Sequence, residues 1–507
     1  MSKNDFRYRQ TQRKLKRLSR HLPTITVLLT ATILLGTGIA CLHHFVLAKQ
    51  PAPTANALTT GVTPDNPSQA SSPEEAPDAS DAIPEETQDE IDLLIAQTDS
   101  IAMGYDYDKA ISLLTDSGQS LTEPRMAQAL TRYQSEQAAL IPADITQITH
   151  IFFHSLIMDA SRAFDGDKDA AGYNSVMTTK DEFLKILEEM YKRGYVLVRL
   201  HDIAQEVTDE NGNTSFIWGN ILLPEGKKPF VMSQDDVCYY PYMEGDGFAS
   251  RIVIGDDGKP TCEMTMDDGS VARGSYDLIP LLEDFIQEHP DFSYKGARAV
   301  IALTGYEGIL GYRTSSSYSE CPTYEADRKE AARVAQCLKD NGWELASHSW
   351  GHLQLGVANN PENGFAIEDA RFITDTDKWE AEVESLTGPT DILLFPYGND
   401  IADWHPYTED NPRFAYLKSK GFRYFCNVDA SKPSWIQKGT DYLRMARRNL
   451  DGYRLYEDMI QTDPDKKKLT DLFDAAQIFD AARPTPVSWS YQKSKGEVPS
   501  KASKTAN

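Results

Sequence analysis

From residue 148 onward the chain alternates two patterns. Short apolar runs at Ile151-Phe152-Phe153, Tyr195 to Leu200, Phe230 to Ser233, 298–304, 343–347, 391–396 and 422–428 read as strands. Between them lie stretches of helical period. Thr179 to Arg193 carries a Thr179/Glu182 capping box and a stripe of Phe183, Ile186, Leu187, Met190 and Tyr191. Further helices are predicted over 276–289, 325–340, 377–386 and 411–420. Arg251 to Met266 reads as an inserted hairpin turning at Asp256-Asp257-Gly258. Repeated strand–helix units imply a parallel sheet under helical cover. The predicted fold over 146–485 is a (β/α) barrel, seven-stranded and incomplete. On such folds active sites sit at the C-terminal ends of strands.

Upstream the pattern changes. Over 87–145, Ile91, Leu94, Ile95 and Ala102 recur at helical spacing, and Tyr105 to Leu114 and Met126 to Leu140 read as two more helices. They resemble a single tetratricopeptide unit, but one unit cannot bury its own face and no second copy follows. The expectation is a helical neck packed on the barrel. Residues 49–86, rich in Pro, Ala, Ser, Thr, Asp and Glu, read as a disordered acidic linker. Residues 25–48, ITVLLTATILLGTGIACLHHFVLA, are apolar over a membrane-spanning length. The basic leader 1–24 precedes them with Lys3, Arg7, Arg9, Arg13, Lys14, Lys16, Arg17 and Arg20. Positive charge stays cytoplasmic, so the expectation is a single-pass signal-anchor in the cell membrane with an extracytoplasmic C-terminal body. A cleaved signal peptide is the competing reading, and lipid attachment at Cys41 a weaker one, because Gly38-Ile39-Ala40 makes a poor cleavage box. Residues 486–507 read as a flexible tail.

Composition narrows the class. Of 507 residues, 40% are hydrophobic, 10% aromatic and 25% charged, which excludes wholesale disorder, collagen and a polytopic membrane protein. Six cysteines are too few for a disulfide scaffold. Residues 1–49 hold nine Lys or Arg and one acid, so a net charge of −25 leaves −33 on the remaining 458. So acidic a body repels phosphate backbones, and nucleic acid is not an expected partner. Anionic headgroups repel it too, which is why an anchor matters.

Two predicted strand ends carry candidate chemistry. Pro229-Phe230-Val231-Met232-Ser233-Gln234 ends in adjacent carboxylates, Asp235 and Asp236. Trp343-Glu344-Leu345-Ala346-Ser347 ends in His348-Ser349-Trp350-Gly351-His352, two histidines four apart. Two imidazoles and a carboxylate form a common open site for one divalent ion, Zn²⁺ before others. The second aspartate is then free to act as a base on bound water.

These residues resemble the polysaccharide deacetylases of carbohydrate esterase family 4, as a divergent member. The family's Thr-Phe-Asp-Asp-Gly is similar to Ser233-Gln234-Asp235-Asp236-Val237, and its His-Ser/Thr-x-x-His is matched in full by His348 to His352. Its Arg-x-Pro-Tyr is similar to Leu394-Phe395-Pro396-Tyr397, without the arginine. Its fourth motif is loosely similar to Asp429 and Trp435. The resemblance covers about 148–460. It implies Asp235 as general base and Asp236, His348 and His352 as metal ligands. It also implies Pro396, Tyr397, Asp429 and Trp435 around the oxyanion or substrate, with the Tyr397 N–H as an oxyanion donor. The family's last motif, Leu-x-His, supplies the acid for the leaving amine; here Leu443 plus two is Met445. Candidate acids are then His154, after the first strand, and His405, after the Pro-Tyr loop; nothing in their spacing places either beside Asp235. Arg444, Arg447 and Arg448 are candidates for the missing arginine.

Other signals carry less. Asp165 to Asp169 imitates an EF-hand start, but Ala170 and Val176 stand where Gly and Glu belong. Cys238, Cys262, Cys321, Cys337 and Cys426 read as buried thiols, with a Cys238–Cys262 bridge unsupported by spacing. Tyr239, Tyr240 and Tyr242 read equally as core or as a sugar-stacking surface. The expected function is a membrane-anchored, metal-dependent deacetylase of an N-acetylated or O-acetylated cell-envelope polysaccharide. The alternatives are a catalytically weak or inert glycan-binding envelope protein and a purely structural one.

Overall fold

The computed structural model describes residues 85–119, 121–356 and 367–489. The leader, the apolar stretch 25–48, nearly all of the linker and the tail from 490 lie outside the described residues. Among the described residues no helix is long and apolar enough to cross a membrane. Three helices come first: α1 (Glu85–Met103), α2 (Tyr107–Thr115) and α3 (Pro124–Ala138). The Glu123 carboxylate caps α3 by accepting the Met126 N–H at 2.9 Å.

The parallel strands follow: β1 (Thr149–Phe153), β2 (Tyr195–Leu197), β3 (Lys228–Gln234), β4 (Val300–Leu303), β5 (Glu344–Ser347), β6 (Ile392–Leu394), β7 (Tyr424–Val428) and β8 (Leu443–Asn449). Seven of them close a ring in the order β1-β3-β4-β5-β6-β7-β8 and back to β1. The barrel is therefore closed, not incomplete as the sequence predicted. β2 stands outside the ring. It pairs with Lys228–Phe230 at the lower half of the edge of β3 whose upper half, Ser233 and Gln234, meets β4. The wall helices are α4 (Lys180–Lys192), α5 (Leu278–Glu288), α6 (Tyr324–Asp340), α7 (Asp369–Trp379), α8 (Pro412–Ser419) and α9 (Gly452–Ile460). The capping box expected at Thr179 and Glu182 is formed in both directions. Helix α7 starts earlier than predicted and runs on through a π turn, Glu380–Glu384. The expected hairpin is present as Arg251–Ile254 paired with Pro260–Thr265, extended by a third strand, Val271–Gly274.

Side chains alternate along each strand, so the wall has an outer and an inner face. Phe230, Met232, Ile301, Leu303, Leu345, Leu393 and Phe425 pack outward under the helices. Val231, Val300, Ala302, Ala346, Ile392, Leu394, Cys426, Leu443 and Met445 form a second core. The neck helices join that second core through Ile91, Tyr105, Ala110, Leu114, Met126 and Tyr133. Tyr105 stacks on Tyr294, and the Lys295 N–H donates to the Gly104 carbonyl at 2.7 Å. Among the described residues, neck and barrel are one compact unit.

Candidate metal centre

Strand β3 delivers the carboxylates. The Asp235 N–H still donates to the Phe153 carbonyl at 2.8 Å, continuing the ladder with β1. Asp236 then turns into left-handed backbone, φ 60°, which breaks the strand and redirects the second carboxylate. The Tyr240 hydroxyl donates to Asp236 Oδ1 at 3.0 Å. Buried Asp277 secures this turn from behind. It accepts the Gln234 amide at 2.9 Å, the Tyr239 hydroxyl at 2.6 Å and the Leu156 N–H at 2.8 Å.

Strand β5 delivers the histidines. His348 is buried, and its Nδ1–H donates to the Leu394 carbonyl at 2.7 Å. That bond fixes the tautomer and leaves the Nε2 lone pair free to ligate. His352 Nδ1 lies 3.1 Å from the Tyr397 hydroxyl. The turn between the histidines is clamped by Asp375 of α7, which accepts the Trp350 and Gly351 N–H groups at 2.9 and 2.7 Å. Gly305 is required here, since a Cβ would fall 2.3 Å from Trp350 Cδ1.

Strand β8, which the sequence reading did not assign, delivers an arginine. Arg447 faces inward with Leu443 and Met445, while Arg444 and Arg448 pair elsewhere, with Asp400 and Asp471. Arg447 Nη1 donates to Asp235 Oδ1 at 2.6 Å and to Ser233 Oγ at 3.3 Å. Leu394, where the resemblance expects an arginine, lies instead in the inner core. Burial alone would raise the Asp235 carboxyl. The Arg447 guanidinium foremost, with His348 and His154 nearby, outweighs it and holds Asp235 below the usual carboxylate value. Below the pair, fully buried His150 bonds Ser233 through Nε2 at 3.0 Å. Burial, then the Arg447 charge, pushes this imidazole well below its ordinary pKa.

Asp236, His348 and His352 converge, with one ligating atom of each within 4.8 Å of the others. His352 Nε2 is 3.6 Å from Asp236 Oδ1, and His348 Nε2 is 3.6 Å from Asp235 Oδ2. Those separations are too long for hydrogen bonds. The His352–Asp236 separation suits two ligands of one tetrahedral ion, where bonds of about 2.1 Å place neighbouring donors about 3.4 Å apart, and the His348–Asp235 separation sets the other carboxylate beside that group. The donor set, two imidazoles and a carboxylate, fits Zn²⁺. Backbone strain gathers at the same place. Of eight non-glycine residues with positive φ among the described residues, Asp236, Tyr239, Ser349, His352 and Tyr397 belong to the loops that build the centre.

The remaining predicted residues divide. Pro396 is buried and starts the turn that carries Tyr397, with φ 59° and 44% exposure. His154 lies near enough to Asp235 and to Asp451 to act on both electrostatically, although burial keeps the Asp451 carboxyl raised, a proximity its sequence position did not reveal. His405 is exposed, paired with Asp403 and stacked on Trp404 at 3.8 Å, and makes no contact with the centre. Asp429 is exposed and caps its own turn by accepting the Ser431 N–H, while its N–H donates to the Arg447 carbonyl. Trp435 packs against the Arg444 guanidinium, on the outer face of β8. Asp375 and Asp277 were missed, and Tyr240, read as core or as a sugar-stacking surface, was not foreseen as a partner of Asp236. Isolated acids carry no motif, and the partners of Asp375 and Asp277 lie 24 to 121 positions away in the chain. Cys238 and Cys262 are separate buried thiols, not a bridge. No family model and no curated protein matches the chain.

Proposed function

We propose that the protein is a metal-dependent deacetylase of an N-acetylated envelope glycan, held at the membrane by residues 25–48. The observation that carries this reading is the convergence of Asp236, His348 and His352 beside an Asp235 ion-paired to buried Arg447. Asp236, His348 and His352 would hold one divalent ion, Zn²⁺ first. When bound, that ion polarises the acetyl carbonyl and lowers the pKa of the attacking water. Asp235 accepts the water proton through Oδ2, because Arg447 holds Oδ1. The Tyr397 N–H, on a left-handed turn, would donate to the developing oxyanion. His154, beside Asp235, protonates the departing amine.

The experiment is acetate release from chito-oligosaccharides and from peptidoglycan, with and without Zn²⁺ or Co²⁺. Asp235→Asn should lower the rate by about 10²- to 10⁴-fold while keeping the metal, since Asp236 is the ligand. One feature favours an inert glycan-binding protein instead: Met445, where the resemblance expects the acid, is buried in the apolar core. Retained metal without acetate release from any acetylated glycan would select that second reading.

A further inference from the structure

The aromatic run after the Asp pair splits into distinct roles. Tyr239 is core, with its hydroxyl on Asp277, and Tyr240 is buried, with its hydroxyl on Asp236. Tyr242 is 41% exposed. Its ring stacks on Tyr240 with centroids 5.4 Å apart and planes only 14° from parallel. Tyr306 lies against Tyr240 as well, at 5.6 Å. One path thus runs from a candidate metal ligand, through the one buried ring of Tyr240, to a ring at the surface. A single exposed tyrosine needs no explanation. A flat one, braced by a buried partner that also holds Asp236, is a pre-oriented surface next to the reacting position. Carboxylates stand near it: Asp246 accepts the Tyr173 hydroxyl at 2.9 Å, and burial first, then Asp246, Tyr242 and Asp169, raise that hydroxyl's pKa. Such acceptors suit the hydroxyl donors around a sugar ring.

We propose that Tyr242 is the stacking platform for the sugar adjacent to the one being deacetylated, so that the site takes a neutral oligosaccharide rather than a monosaccharide. This rests on the deacetylase reading of the same site. An aliphatic C–H face against an aromatic face buries apolar area without stranding the ring hydroxyls.

The test is calorimetric binding of chitotetraose to full-length, zinc-loaded Asp235→Asn protein, which binds without turning over. Tyr242→Ala and Tyr242→Leu in that background should raise Kd about tenfold, and Tyr242→Phe should stay within about twofold. Melting temperature and zinc content of each variant verify the fold. Unchanged binding in the alanine and leucine variants, or no binding by the parent, overturns the platform. Acetate release by the wild-type protein is read separately. Tyr242-dependent binding without acetate release keeps the platform and removes the deacetylase reading. Acetate release with Tyr242-independent binding does the reverse.

Discussion

Arg447 and Asp235 form a buried ion pair at 2.6 Å in which neither charge has water to fall back on. Removing one partner of such a pair costs about 3–5 kcal/mol, because the other charge is left uncompensated. Arg447→Met should therefore lower the urea-unfolding free energy by that order, and Arg447→Met with Asp235→Asn should recover most of the loss. Equal destabilisation in the single and double variants would show that Asp235 does not depend on Arg447. His154 makes a separate claim. An amine needs a proton to leave, whereas an alkoxide from an acetyl ester needs less help. His154→Gln should slow N-acetyl hydrolysis at least tenfold more than hydrolysis of an activated acetyl ester on the same zinc-loaded protein. A uniform loss on both substrates would remove His154 from the acid role. At this scale the candidate metal-binding group was legible, since Asp-Asp and His-x-x-x-His are local patterns. Which of the three candidate arginines pairs with Asp235 was not, because Arg447 reaches it across 212 positions of sequence.

The elements explain why some were misread. Strand β8, Leu-Arg-Met-Ala-Arg-Arg-Asn, has no apolar run to announce it. Its inner face needs Leu443 and Met445, but Arg447 is inside for Asp235, and its outer arginines answer Asp400 and Asp471. Strand signals assume apolar burial, and here ion pairs take that place. Strand β6, by contrast, is Ile392-Leu393-Leu394 and was read directly. Another contact between elements sets a pH dependence. His201, after β2, bonds Glu344 at the start of β5 and Asp391 just before β6, the latter at 3.0 Å. Burial would lower this imidazole, but Glu344 and Asp391 outweigh it and push it up to about 10. The folded pKa is raised, so the stabilisation is complete below the unfolded value of about 6.5 and is lost as pH rises through about 10. Melting temperature should fall across that window, and His201→Gln should flatten the slope. An unchanged slope would mean that another group carries it.

Across the whole molecule, the neck is part of the barrel's core. Leu114 of α2 is fully buried in the cluster that holds Val300, Ala346 and Leu394 of the barrel strands. Leu114→Ala should cost about 2–5 kcal/mol and lower one common melting transition. Two separate transitions would make the neck an independent body. The sequence pointed to a neck packed on the barrel, because its amphipathic helices had no other face to bury. It did not show that the strands close into a ring. Closure depends on β3 offering one edge to both β2 and β4, a pairing without any local signature. The central claim is that one ion at Asp236, His348 and His352 makes this barrel a deacetylase. Its most direct measurement is acetate release from chitotetraose as Zn²⁺ is titrated into metal-depleted protein. The account predicts release that rises to a plateau at about one ion per chain and is abolished in His348→Ala. Release that is independent of added metal, or undiminished in His348→Ala, would contradict it.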